Sequence, residues 1–229
     1  MKNIYNFKNL LVITIIYLVS LSANGQDLYD KFSKKLCQCL EKEKVTTDEA
    51  MPRCFEELLV KNIDELKEYY GVTSFREINT EELGNKVAAK LLKNCDYALE
   101  AFSNQQKQED KIVTKQPNLT CEDLKSGDFY YLNGRSNTAI SDTTYVTISN
   151  NMFLERMKNG RTYSLLNLEW KGECKFKLIF KESNDPFKKE LSKPGDTYLY
   201  EVMTNGPESI VVKVYWRKEE FQVELFKAK

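Results

Sequence analysis

The stretch Cys174-Lys175-Phe176-Lys177-Leu178-Ile179-Phe180-Lys181 (CKFKLIFK) decides how the second half of this chain folds. Cys174, Phe176, Leu178 and Phe180 alternate with Lys175, Lys177, Ile179 and Lys181, the period-2 pattern of a strand with one apolar face. The same alternation recurs at Ile210, Val212, Val214 and Trp216, and again at Phe221, Val223 and Leu225. Working outward, strands are expected near residues 127–133, 143–149, 151–157, 161–170, 174–182, 196–204, 208–217 and 219–227. Asn133-Gly134, Asn159-Gly160, Lys171-Gly172 and Asn205-Gly206-Pro207 supply turn signals between several of them. Eight short strands joined mostly by tight turns predict an antiparallel meander. Closing that meander into a barrel removes its exposed edges.

Cys121 and Cys174 are the two cysteines of this half, and pairing them ties the lead-in segment to a mid-sheet strand. Ten aromatic residues (Phe129, Tyr131, Tyr145, Trp170, Phe176, Phe180, Tyr198, Tyr200, Trp216 and Phe221) fall where one strand face points inward. An eight-strand barrel is just wide enough to fill with side chains or to hold one small ligand. So many bulky groups favour a filled or nearly filled interior. The ligand reading seats a small apolar or amphipathic molecule between Phe129, Tyr131, Trp170 and Trp216.

Gly127-Asp128-Phe129-Tyr130 opens the first strand and resembles the G-x-W-Y motif of lipocalin-like, calycin-type barrels, with Phe129 in place of tryptophan. The resemblance covers residues 118–229 and implies a small barrel with an interior binding site. It departs from that family in its shorter length and in having no helix after the last strand.

Before residue 105 the period is that of helices. Leu28, Tyr29, Phe32, Leu36, Cys39 and Leu40 form one apolar stripe at about 100° per residue. Thr46, Thr47 and Asp48 are N-cap candidates for a second helix striped by Met51, Phe55, Leu58, Leu59, Ile63, Leu66 and Tyr70, with Pro52 early in it and Gly71 at its end. Ser74 to Ile78 adds a short turn. Asn79 or Thr80 then caps a last helix with Leu83, Val87, Leu91, Cys95, Ala98 and Phe102 on its buried face. So small a core leans on cross-links. Matching the stripe centres suggests Cys39–Cys95 with Cys37–Cys54; Cys37–Cys95 with Cys39–Cys54 stays open. The pattern KKLCQCLEKE, PRCFEELL and KLLKNCDYAL is similar to four-cysteine helical modules in exported proteins of Bacteroidota-type bacteria. That similarity implies a compartment rather than an activity.

Lys2 and Lys8 followed by the uncharged run Leu10–Leu21 and by Ala23 and Gly25 read as a secretory signal peptide cleaved after Gly25. The run is shorter than the roughly 20 apolar residues a membrane span needs, so no stable span is expected after cleavage. Six cysteines beyond it fit an oxidising compartment, periplasmic or secreted. The expected organisation is therefore an α+β multidomain chain: signal peptide 1–25, helical four-cysteine domain 26–104, polar linker 105–117, and antiparallel barrel 118–229.

The chain carries 34 basic and 34 acidic side chains, so it lacks the clustered basic excess that nucleic acid requires. It contains no histidine, which removes the commonest general base and most catalytic zinc sites. Cys-x-Cys spacing without histidine in an oxidising compartment argues for disulfides over a metal. No phosphate-binding, dinucleotide or nucleophile-elbow motif occurs. A carboxylate-based glycan hydrolase would need a facing acid pair, for which Glu155 and Glu169 are the candidates; charged strand residues usually form a solvated face. Arg156, Lys158 and Arg161 flank the Asn159-Gly160 turn as an anion-binding rim or a solvated hairpin tip. The leading expectation is an exported, non-enzymatic protein without cofactor or metal whose barrel binds a small apolar ligand. The alternative is an interaction scaffold of the cell envelope, with a filled barrel and a protein partner.

Overall fold

The computed structural model describes residues 27–44, 50–109, 113–132, 143–172 and 174–228. The signal segment, the Thr46–Asp48 capping candidates and the Asn133-Gly134 turn lie outside them. Among the described residues no helix is long and apolar enough to cross a membrane.

Helix α1 (Leu28–Glu43) starts where Asp27 accepts a hydrogen bond from the Tyr29 N–H at 3.2 Å. It buries Leu28, Tyr29, Phe32, Leu36 and Leu40. The single second helix expected from the stripe is two, α2 (Ala50–Lys61) and α3 (Ile63–Tyr70). Asn62 makes the break. Its side-chain amide donates to the Leu58 carbonyl at 2.6 Å, while Lys35 donates to its oxygen at 2.7 Å. An asparagine that bonds the backbone in this way competes with the helix ladder. Gly71 ends α3 at φ 65°, and Ser74 and Glu77 form a capping box around the short turn Phe75–Glu77.

The last helix is likewise split, into α4 (Thr80–Asn94), capped by Asn79, and α5 (Asp96–Glu109). The corner is Cys95, in extended conformation (φ −117°, ψ 102°). Its disulfide partner is Cys37, and Cys39 joins Cys54. The stripe-centre pairing is therefore overturned. Against the buried ridge Phe32, Leu36 and Leu40, Cys37 and Cys39 flank opposite sides, because two residues on a helix are about 200° apart. Cys39 meets α2 on one side and Cys37 meets the α4–α5 corner on the other.

Eight strands follow: β1 (Gly127–Leu132), β2 (Thr143–Ser149), β3 (Met152–Met157), β4 (Thr162–Trp170), β5 (Lys175–Ser183), β6 (Thr197–Asn205), β7 (Ser209–Trp216) and β8 (Glu219–Lys227). They form a closed antiparallel barrel in chain order, sealed where Phe129 and Tyr130 of β1 pair with Lys227 and Phe226 of β8. Asn150 and Asn151, both at positive φ, make the two-residue turn between β2 and β3. Tyr145 points outward rather than in and is 41% exposed, because Thr144, Val146 and Ile148 take the inner face of β2.

One end of the barrel is solid. Phe129, Val146, Ile148, Leu168, Val202, Ile210 and Leu225 fill it. Leu124, on a turn of 3-10 helix (Glu122–Leu124), plugs it from below, and the Cys121–Cys174 disulfide holds that plug. Gly127 adopts φ 150°, and a Cβ there would meet the Phe129 ring at 3.4 Å, so glycine lets that ring lie close to the backbone.

Residues 113–116 of the expected polar linker are hydrogen-bonded to the barrel. Helix α5 runs on to Glu109. Val113 exchanges two hydrogen bonds with the Gln222 side chain, each 3.0 Å. A bulge between Val202 and Thr204 turns the Met203 carbonyl out of the β6–β7 ladder, and the Gln116 N–H donates to it at 2.8 Å. Lys115 pairs with Glu201 at 2.7 Å. Polar composition does not reveal these contacts, because most of them are made by the backbone of Val113 and Gln116, with Lys115 adding one side chain.

Candidate functional site

The sequence Ser183-Asn184-Asp185-Pro186 between β5 and β6 starts a helix that the strand pattern did not announce. Asp185 accepts from the N–H groups of Phe187 and Lys188, each at 3.1 Å, and Pro186 occupies the first turn. The resulting α6 (Pro186–Leu191) lies across the open end of the barrel and packs on α4. From the helical part, α4 contributes Leu92 and α5 contributes Phe102 to the same mouth. Phe102 meets Phe221 of β8 with ring centroids 5.9 Å apart, and Arg217 donates to the Leu92 carbonyl at 3.0 Å while pairing with Asp96.

Between this roof and the solid floor is a partly open cavity of about 280 Å³. Its walls are mainly Phe153, Leu166, Phe176, Leu178, Phe180, Val212, Val214, Trp216 and Phe221. The interior is thus not filled to the top, contrary to the weight of aromatic residues in the sequence.

One corner of the cavity is polar. Glu155 is 8% exposed and faces inward with Phe153 and Met157, its neighbours at period 2. Lys188 reaches down from α6 to place Nζ 3.1 Å from Glu155 Oε2 and 3.3 Å from Oε1. The Tyr131 hydroxyl donates to Oε1 at 2.7 Å. Ser192 and Tyr198 share a short hydroxyl contact nearby. Tyr200 stacks its ring on Phe176 at 4.9 Å. Among the described residues its hydroxyl has no hydrogen-bond partner.

Burial, reinforced by the Glu155 charge, pushes the Tyr200 phenol well above the ordinary tyrosine value, and Tyr131 is raised for the same two reasons. For Lys188 burial works against the charge. The attraction of Glu155, with Tyr131 and Tyr200 behind it, outweighs that penalty and holds the ammonium above its usual value. Tyr200 therefore presents O–H and Lys188 presents N–H at neutral pH.

Of the four residues assigned to a ligand, Tyr131 and Trp216 line the cavity. Phe129 is buried in the floor, and Trp170 packs against Phe176 at 5.2 Å without reaching the cavity wall. Glu155 and Glu169 do not face each other. Glu169 is held on the outer surface by Lys171 at 2.8 Å and Lys177 at 3.0 Å, whereas Glu155 is interior, which corrects the reading of both as a solvated face. Lys158 of the basic turn binds Glu81 of α4 at 3.0 Å and so contacts the helical part, whereas Arg156 donates to Thr147 and Arg161 to the Lys158 carbonyl within the barrel. Cys37, Glu41 and Cys95 lie close together, but both sulfurs belong to a disulfide and offer no thiolate.

Lys188 was missed because α6 was missed, although Asp185-Pro186 is a readable N-cap and first-turn pair. Glu155 was readable from strand parity alone. No family model matches this chain, and neither a curated protein nor a solved structure matches it.

Proposed function

We propose that this is an exported, non-enzymatic binding protein, periplasmic or secreted, whose barrel carries a small and mainly apolar ligand in the manner of a lipocalin. The observation that carries the reading is the 280 Å³ cavity between a solid floor and a helical roof, apolar on its walls and polar at one corner. Its size is near the lower end of the roughly 300–1,000 Å³ of small-molecule sites. It is almost twice the engineered apolar cavity of about 150 Å³ that takes a benzene ring. Three disulfides, with no free cysteine among the described residues, support an oxidising, extracytoplasmic setting.

The test is native mass spectrometry of the oxidised protein as purified, followed by displacement titrations read on Trp216. A Trp170→Phe variant leaves Trp216 as the only indole. Saturable quenching of Trp216 by medium-chain apolar compounds is the expected result. A protein that releases no small molecule on denaturation and shows no saturable Trp216 response to any of them would refute the reading.

A further inference from the structure

The polar corner of the cavity is unbalanced in one respect and balanced in another. Its charges cancel, because the Lys188 ammonium and the Glu155 carboxylate face each other across 3.1 Å. Its hydrogen-bonding groups do not cancel. An ammonium has three N–H donors, and the only described acceptor for Lys188 is Glu155. The Tyr200 hydroxyl adds a second unclaimed donor among the described residues. Both oxygens of Glu155 are already engaged: Oε1 accepts from Tyr131 and Lys188, and Oε2 accepts from Lys188. Ser192 and Tyr198 bond each other, and Ser164 bonds Ser183 at 3.0 Å. The strongest groups left for a ligand are therefore donors, the remaining N–H groups of the Lys188 ammonium and the Tyr200 O–H.

A carboxylate placed there would put a second negative charge beside Glu155 within largely apolar walls. An ammonium would meet the like charge of Lys188, which already holds the Glu155 carboxylate. A hydrocarbon would leave both donors unmatched, which costs about 1–3 kcal/mol per buried polar group and hence at least several-fold in affinity. We infer that the barrel selects an uncharged ligand: an apolar body bearing one hydrogen-bond acceptor of the carbonyl kind, seated against Lys188 and Tyr200. This rests on the ligand-binding reading above and goes beyond it in naming the head group.

The experiment uses the full oxidised chain and four probes of matched length, 2-octanone, octane, octanoate and octylamine, in calorimetric and Trp216 titrations at neutral pH. The ketone should bind at least tenfold more tightly than the acid and the amine, and several-fold more tightly than the alkane. In Tyr200→Phe the advantage of ketone over alkane should shrink by about two- to tenfold, the worth of one neutral hydrogen bond. Equal binding of all four probes, tighter binding of octanoate, or an undiminished ketone advantage in Tyr200→Phe would each overturn the head-group assignment while leaving the cavity as a binding site. If none of the four binds, the ligand-binding reading falls and the assignment falls with it.

Discussion

Replacing Lys188 by methionine isolates the charged pair it forms with Glu155 inside the barrel. At about 3 Å and an effective dielectric near 20, the attraction between Lys188 and Glu155 is about 5 kcal/mol before desolvation is charged against it. What counts for the variant is what stays behind. Glu155 keeps a side chain only 10% exposed, with the Tyr131 hydroxyl as its remaining hydrogen-bond partner among the described residues and no compensating charge there. Removing one member of a buried pair typically costs about 3–5 kcal/mol. Because Lys188 retains 28% of its side-chain area accessible and lines the partly open cavity, water reaching Glu155 should reduce this to about 2–4 kcal/mol. Adding Glu155→Gln in the same molecule removes the orphaned charge and should recover most of the loss, since neutralising both members is often close to neutral overall. Urea unfolding at neutral pH, with disulfides intact and the slope unchanged, measures the four corners of this double-mutant cycle. A Lys188→Met protein within about 0.5 kcal/mol of the parent, or a double variant no more stable than the single one, would refute a desolvated ion pair at this position.

Two further outcomes follow from the same coordinates. Tyr29, Tyr131, Tyr200 and Lys188 all have pKa values raised in the folded chain, and Tyr215 is pushed up to about 12 by burial and its bond to Glu201. A raised value means the unfolded chain releases its proton first, so the stability these groups contribute should be constant from neutral pH to about pH 9.5 and fall progressively above about pH 10; alkaline denaturation followed by tyrosinate absorbance checks this, and rising stability above pH 10 would contradict it. Separately, Cys121 and Cys174 are 53 residues apart, and opening that loop should cost about 4 kcal/mol by chain entropy. A Cys121→Ala/Cys174→Ala protein losing less than about 1 kcal/mol in urea would show that Leu124 plugs the floor unaided.

The barrel was legible because strand parity is a local signal. Each of the eight expected strands lies within one or two residues of an observed one, and even the turn at Lys158–Gly160 sits where Asn159-Gly160 put it. The helical part was legible in its stripes but not in its corners. Asn62 and Cys95 each lie on an unbroken apolar stripe or between two halves of one, and periodicity does not register a single residue that leaves helical conformation. The disulfide pairing turned on which neighbour packs on which side of the α1 ridge, which an apolar stripe does not tell. The polar corner was half legible: Tyr131 and Tyr200 were placed inward, and Glu155 has the same parity as Phe153, yet charge outweighed parity in its reading. Lys188 depended on α6, a six-residue element too short for periodicity to reveal, and only the cap at Asp185 announces it.

The two halves build one cavity between them rather than sitting as beads on a string. The barrel alone has a floor but no roof; its mouth is covered by α6, by Leu92 at the end of α4 and by Phe102 on α5. Between Leu92 and Phe102 the chain turns at Cys95, and that corner is cross-linked to α1 through Cys37. Arg217, at the β7–β8 turn, bonds to the Leu92 carbonyl and to Asp96 on either side of the same corner. Lys90 adds Asp27 and Asp30 of α1 at 3.3 and 3.2 Å and reaches Glu190 of α6 at 3.8 Å. The disulfide in the helical half thus fixes the angle at which two apolar side chains are presented to a cavity in the other half. The docked segment from Val113 to Gln116 then limits how far that roof can swing away, because its hydrogen bonds to Gln222 and Met203 anchor the chain a few residues past the end of α5. The helical module with its four cysteines thereby sets part of the shape of the barrel's mouth.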